Sequence, residues 1–441
     1  MMFKDTMQMG RPMIVLLLGV LLSHLGSLMV TPMLPIMLKI DAGLTLVQIG
    51  AILAGMSISF QFGSIVGGTL ADRTGRRFII GLGALITAGG LIGFGVFNHF
   101  YLLVVTAIIT GIGNGLYAPS TKAAIAALAS MGNRTTAFSM RGIAANIGTA
   151  SAGLIVFFLI TGSSKIIFWI AGFIYIALAL ISWTLLPKKC GDIPCPPVPS
   201  QAYRLAFKNK PFIVFGVVSI FIWVLYAQLA LVLPLRAIEI LPDPKNVALI
   251  WTINSFIVIS LQGMITKRII NKIHPLNSLA FGILIVGIGI GSLYFSSSFF
   301  HFVISGAIFV MGEMLLLPTI DSTISQLSTA EMIGLFFALA NVISGLGEAG
   351  GKFAGSKLYE MGNDIELLPW IIYVIMGVIL FFVVRMLKRW KPLATSLETA
   401  AKKEDKPKEG PKVPLGPTEH QSHPFNEWVP EVIGRKRTRT E

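Results

Sequence analysis

Gly68-Thr69-Leu70-Ala71-Asp72-Arg73-Thr74-Gly75-Arg76-Arg77 closes the second of a series of long apolar runs. The glycines permit close helix approach and a tight turn. Asp72 is able to pair with basic groups or to face the positive N-terminus of a neighbouring helix. Arg76 and Arg77 are able to hold acidic groups or lipid phosphate. Basic residues are ordinary in any turn at a membrane surface, but Gly68, Asp72, Arg73, Gly75, Arg76 and Arg77 at fixed spacing form a more specific pattern.

Outward from this turn the chain is apolar in both directions. Of its 441 residues, 54% are hydrophobic and only 13% charged, against about 25% charged in a soluble domain. With a mean hydropathy of +0.77, this composition excludes a soluble enzyme, a disordered chain and a fibrous one. The apolar residues fall in runs long enough for a helix to cross about 30 Å of hydrocarbon. Twelve such runs cover about 12–38, 46–70, 78–97, 101–126, 136–161, 165–187, 211–236, 246–268, 277–297, 299–324, 333–358 and 368–389. The first has no small-residue cleavage site and reads as an uncleaved span. The 45 glycines fit this class, because small residues let membrane helices approach closely.

Lys and Arg set the orientation. With the N-terminus (1–11) in the cytoplasm, 29 of the 35 basic residues fall on cytoplasmic segments and six outside. Both termini are therefore expected inside a cell membrane. The net charge of +14 then reflects topology and attraction to anionic lipid heads, not nucleic-acid binding. Segment 188–210, with Pro194, Pro196, Pro197 and Pro199, reads as a cytoplasmic linker. Cys190 and Cys195 lie in it as reduced thiols, and no neighbouring ligands complete a metal site. The tail 390–441 is rich in Lys, Glu and Pro and is expected to be disordered. It carries an apolar patch (Phe425, Trp428, Val429, Val432) before a last basic cluster.

The two halves match at a constant offset of 199 residues. Pro35 falls on Pro234, and Asp72-Arg73 on Asn271-Lys272, both in the loop after the second helix of a half. Gly113, Asn114, Leu116 and Pro119 fall on Gly312, Glu313, Leu315 and Pro318, and Gly148 on Gly347. This predicts an all-α integral membrane protein: twelve helices in two pseudo-symmetric six-helix bundles, 12–187 and 211–389. Parallel repeats related by an axis along the membrane normal place a cavity at their interface, exposed alternately to each side when the halves rock.

At this point the sequence resembles the major facilitator superfamily over residues 12–389. Residues 68–77 look like that superfamily's G-x-L-A-D-R-x-G-R-R/K signature without departure. Pro32-x-x-Pro35, and Gly312-Glu313 with Pro318, look like the drug/proton antiporter branch of prokaryotes. The resemblance implies a conformational latch at Gly68, Asp72, Arg73, Gly75, Arg76 and Arg77, not a substrate site. Two positions depart from the branch. Ala107 stands where exporters carry an Arg before Gly111 and Gly113, and Gly148 is followed by Ala152 and Gly153 without the usual proline. Both bear on antiport and neither on the fold.

Ionisable groups at membrane depth are rare and costly, so each is a functional candidate. Glu313 is the foremost proton-coupling candidate, within the tenth helix opposite Asn114 in the repeat. His24 in the first helix is another, with a structural hydrogen bond as its bland alternative. Glu348 is the third, four residues before Lys352 and so placed for an ion pair. Lys122 and Asp321 are repeat equivalents of opposite charge and are expected to pair across the halves. Arg141 is expected to snorkel to the cytoplasm. Asn114, Tyr117, Asn146, Gln228, Asn254 and Asn341 are candidate cavity residues in a wall otherwise rich in Met and Phe.

The reading is a secondary transporter working by alternating access, monomeric and without cofactor or metal. It would be a proton-coupled exporter of lipophilic or amphipathic small molecules. A facilitator, importer or lipid-translocating carrier of the same fold is the alternative. A membrane receptor or scaffold acting through its basic tail is the more distant one. The chain has no P-loop and no readable nucleophile–base arrangement, so an enzyme is not expected.

Overall fold

The computed structural model describes residues 10–31, 34, 37–38, 41–129, 133–159, 165–188, 199, 201–241, 245–329, 331–362 and 364–402. Residues 1–9, Pro32, Pro35, Cys190, Cys195 and the tail patch from Phe425 lie outside the described residues. Among the described residues there is helix and no strand.

Six long helices form the first half: α1 Arg11–Val30, α2 Leu46–Thr74, α3 Arg76–Val96, α4 Phe100–Leu128, α5 Arg134–Leu159 and α6 Ile166–Leu185. A short linker helix, Ala202–Lys208, precedes six more. These are α7 Lys210–Ile240, α8 Lys245–Arg268, α9 Pro275–Gly291, α10 Phe299–Leu327, α11 Ile333–Met361 and α12 Leu368–Arg389. Eleven of the twelve are apolar and long enough to cross a membrane. The exception, α5, has 26 residues, about 39 Å of helix. Arg134, Arg141 and Asn146 dilute its hydropathy, because it faces the other half rather than lipid alone.

Local chemistry sets the boundaries. Thr45 and Gln48 form a capping box that starts α2, each side chain taking the other's backbone N–H at 3.3 and 3.0 Å. Gly75, at φ 104°, is the single residue between α2 and α3. Only glycine adopts that φ without strain. Two sequence expectations are corrected here. Helix α2 runs on to Thr74, so Asp72 and Arg73 ride on its last turn, not in a loop. The polypeptide after α12 continues as a helix, α13 Lys391–Lys402, whose Leu393 and Leu397 are buried against α7, α10 and α12. An apolar stripe at i and i+4 lies within the segment whose overall composition predicts disorder.

The repeat is visible in the packing. Within the first half α1 packs on α5, α2 on α4, and α3 on α4 and α6; within the second, α7 packs on α11, α8 on α10, and α9 on α10 and α12. Single atoms repeat too. A Cβ on Gly113 would lie 2.8 Å from Gly83 O, and one on Gly312 2.6 Å from Gly282 O. A Cβ on Gly148 would lie 2.3 Å from Leu21 O, and one on Gly347 2.6 Å from Ile220 O. Each pair maps onto its counterpart by the same 199-residue step. Pro119 and Pro318 likewise sit inside α4 and α10, where each removes a backbone donor.

Candidate functional site: the interface between the halves

The halves join through α2 with α11, α5 with α8, α5 with α10, α4 with α11 and α4 with α10. The hydrogen bonds and ion pair across this seam concentrate toward the end that carries Gly68–Arg77, here called the motif end.

At that end Asp72 reaches the start of α11. Its Oδ1 accepts from Gly334 N and its Oδ2 from Leu335 N, both at 3.0 Å. These donors belong to the first turn of α11, which has no intrahelical partners for them and carries the positive end of the helix dipole. Arg76 flanks the same carboxylate at 3.8 Å. Close approach makes the bond possible, since a Cβ on Gly68 would lie 2.3 Å from Gly334 O. Arg77 is committed within its own half, donating to Leu186 O at 3.1 Å and to Trp183 O. Arg73 is exposed.

Further contacts close the seam. Lys122 Nζ lies 2.8 Å from Asp321 Oδ1, with both side chains largely buried. Arg134 donates to Ser325 O at 2.7 Å, and the Thr135 and Ser322 hydroxyls meet at 2.7 Å. Thr266 donates to Ser139 at 2.8 Å, and Asn271 to Thr136 at 3.2 Å. Asn341 donates to Ser64 at 3.2 Å, nearer mid-membrane.

Beyond Asn341 the halves part around a cavity of about 530 Å³. Its wall comes from α2 (Met56, Phe60, Gln61), α4 (Gly111, Asn114) and α11 (Asn341, Ser344, Glu348, Lys352). Asn114 Oδ1 lies 3.1 Å from the Tyr175 hydroxyl. Glu348 pairs with Lys352 at 3.8 Å, and both are exposed at the mouth. Glu313 on α10 is half-buried and hydrogen-bonded by Tyr226 of α7, whose hydroxyl also feels the charge of Glu348. Trp223 and Phe309 flank Tyr226 at ring distances of 5.1 and 5.4 Å. His24 Nδ1 stands 2.9 Å from Val20 O of its own helix.

Among the sequence candidates, Asn114, Asn341 and Glu348 share the cavity wall, and Lys122 and Asp321 meet beneath it. Others are placed elsewhere. Gln228 is buried and donates to Gly351 O at 2.8 Å, so it ties α7 to α11. Asn254 is buried against Gly306. Asn146 donates to Gly142 O of its own helix at 3.0 Å, and Tyr117 is buried below Asn114. Arg141 is partly exposed with its Nε buried, and its charge acts on His24, Tyr117 and Lys122. Gln61 and Tyr226 were not legible as site residues. Gln61 offers only one signal, a lone amide within the apolar stretch 58–66.

A multi-pass membrane protein of two repeated six-helix bundles, sealed at one end around a central cavity, has the architecture of a transporter. The family profile of the Major Facilitator Superfamily matches residues 16–351, and the chain belongs to that superfamily of transporters. It is 23% identical over 369 residues to the multidrug resistance protein MdtH of Salmonella arizonae, covering 83% of this chain and 91% of that one. The MdtH of Yersinia enterocolitica is 24% identical over 369 residues, with 82% and 91% covered. Among solved structures, the human organic anion transporter MFSD10 superposes with a TM-score of 0.68 at 16% identity, over 85% of this chain and 99% of that one. The proton:xylose symporter XylE superposes at 0.66 and 16% identity, over 87% and 96%. These structures share the fold.

Proposed function

We propose that this transporter works by alternating access and couples the export of lipophilic or amphipathic small molecules to the proton gradient. One observation carries the reading: polar contacts between the halves concentrate at the motif end, while a cavity of about 530 Å³ lies between α2, α4 and α11 beyond them. This is the arrangement expected of one state in a rocking cycle. The units that rock are the bundles 12–187 and 211–389, and residues 68–77 latch them.

The positive-inside distribution supports a cytoplasmic motif end, with both termini inside the cell membrane and basic segments on anionic lipid heads. The sealed state then faces outward. Glu313 is the proton carrier in this reading, hydrogen-bonded by Tyr226, whose hydroxyl also feels the charge of Glu348 on the cavity wall. The resemblance to proteins named for multidrug resistance supports export of lipophilic compounds. The protein acts as a monomer, each chain holding a complete cavity.

Proteoliposomes test this. A pH gradient is imposed, a panel of lipophilic cations, anions and neutral amphiphiles is loaded, and wild type is compared with Glu313→Gln. Gradient-driven movement that disappears in the variant supports antiport through Glu313. Equal movement in both, with or without the gradient, makes the protein a facilitator or lipid carrier.

A further inference from the structure

A small void lies against the ion pair that closes the seam. Its volume is about 20 Å³, and Lys122 and Asp321 both line it. Every other residue of its wall belongs to the second half, on α7, α10 and α11. A water needs about 10–15 Å³ and two to four polar partners. Lys122, Ser219, Asp321, Asn341 and Ser344 supply those partners.

Asn341 and Ser344 line both this void and the large cavity, so the two spaces share a wall. They continue along α11 with Glu348 and Lys352, at i, i+3, i+7 and i+11 on one helix face. A polar stripe thus runs from the mouth toward the ion pair, over about 16 Å of helix. Its inner members keep hydrogen-bonding capacity. Asn341 donates through Nδ2 to Ser64 at 3.2 Å, which leaves its Oδ1. Ser344 donates to Asn341 O at 2.9 Å, which leaves the lone pairs of its hydroxyl.

The charges around Asp321 make its protonation a switch. Lys122 faces it from α4. From α5, Arg141 acts on Lys122, and Arg134 bonds Ser325 O one turn further on. Helices α8 and α9 meet α10 through the uncharged Gln262 and Ser278, and α13 meets it through Leu393 and Leu397. Helices α7 and α11 bring no ionisable group to the void. A neutral Asp321 therefore leaves Lys122 largely buried without its counter-charge, which is costly. Parting of the motif ends returns Lys122 to water.

We propose that the void holds the water through which Asp321 takes a proton from the cavity, and that this protonation opens the motif end. A hydronium ion in the cavity gives up its proton along the stripe and becomes water. The carboxylate becomes a neutral acid, and Lys122 keeps its charge. After opening, the proton leaves to the motif side and the pair re-forms. This rests on the alternating-access reading and makes Asp321 a proton site separate from Glu313.

The test uses the full-length protein in nanodiscs, with spin labels at Thr74 and Lys272 and with Cys190 and Cys195 replaced by Ser. Lowering the pH from about 8 to about 5 should raise the long-distance fraction about twofold or more. Infrared difference spectra over the same step should show a protonated-carboxyl band that Asp321→Asn removes. That variant should also start with a raised long-distance fraction and lose the pH response. Asp321→Glu should keep both band and response, which controls for a variant that fails to fold. Asp72→Asn should raise the starting fraction and retain the response. Ser344→Val sets an apolar group on the shared wall. It should slow opening after a pH jump severalfold, followed by fluorophores at the same two positions, and leave the final level unchanged. Glu313→Gln should lose gradient-driven transport and keep the response, so this inference and proton coupling through Glu313 fail separately. A wild type that stays sealed at low pH overturns the proposal, as does an unchanged band or pH response in Asp321→Asn. Unchanged opening kinetics in Ser344→Val also overturn it, because the proton would then reach Asp321 by another route.

Discussion

Lys122 and Asp321 stand 199 positions apart in the chain, and their Nζ and Oδ1 atoms lie 2.8 Å apart. They occupy equivalent positions in the two repeats and carry opposite charge. A pair on the pseudo-symmetry axis forms only when the motif ends of both bundles meet, so it reports the state of the whole molecule. Removing one member of a largely buried pair leaves an uncompensated charge, at about 3–5 kcal/mol. Lys122→Gln and Asp321→Asn should therefore each depopulate the state closed at the motif end and slow transport. The double exchange Lys122→Asp with Asp321→Lys should restore much of the rate in proteoliposomes. Failure to rescue the single variants would remove the pair from the cycle.

Asp72 holds the first turn of α11 through two backbone bonds at 3.0 Å. Asp72→Asn keeps an acceptor and loses the charge, weakening the interaction with the helix terminus by about 0.3–2 kcal/mol. Spin labels at the exposed Thr74 and Lys272, in a background with Cys190 and Cys195 replaced by Ser, should then show a larger long-distance fraction at the motif end. An unchanged distance distribution would refute the latch.

Glycines separate two kinds of effect. Gly68→Ala meets Gly334 O of the other half at 2.3 Å, whereas Gly83→Ala meets Gly113 O of the same half at 2.8 Å. Overpacking costs about 1–3 kcal/mol in either place. The first change should shift the label distances with little loss of melting temperature. The second should lower the melting temperature and leave the distances alone.

Gln228 should behave as a structural residue. Gln228→Leu removes the bond to Gly351 O at 2.8 Å, a contribution of about 1 kcal/mol. The melting temperature should fall while substrate affinity stays within twofold or so. Asn114→Ala, on the cavity wall, should change affinity instead.

The C-terminal segment divides at its helix. Deleting 403–441 should leave transport intact, and loss of function there would favour the scaffold reading. Deleting 391–441 also uncovers the surface beneath Leu393 and Leu397, worth about 1.5–3 kcal/mol per leucine, and should lower the melting temperature measurably.

Much of this was legible in the chain. The apolar runs marked the helices, and the step from Asn114 to Glu313 exposed the repeat. Gly68–Arg77 identified the turn and the family. The reading was weakest for polar residues inside helices. Gln228 and Asn114 are both lone amides in apolar helices, yet one fastens two helices of a bundle and the other lines the cavity.

The division has a physical cause. Hydropathy, helix caps and the glycine joint at residue 75 act over a few neighbouring residues, so sequence alone determines the spans, the repeat and the motif. Which end of the seam is sealed depends on how two rigid bundles lie against each other, through contacts such as Asp72 with Gly334 that are 262 residues apart. Only the tertiary structure decides those. They are set by the fit of two whole surfaces.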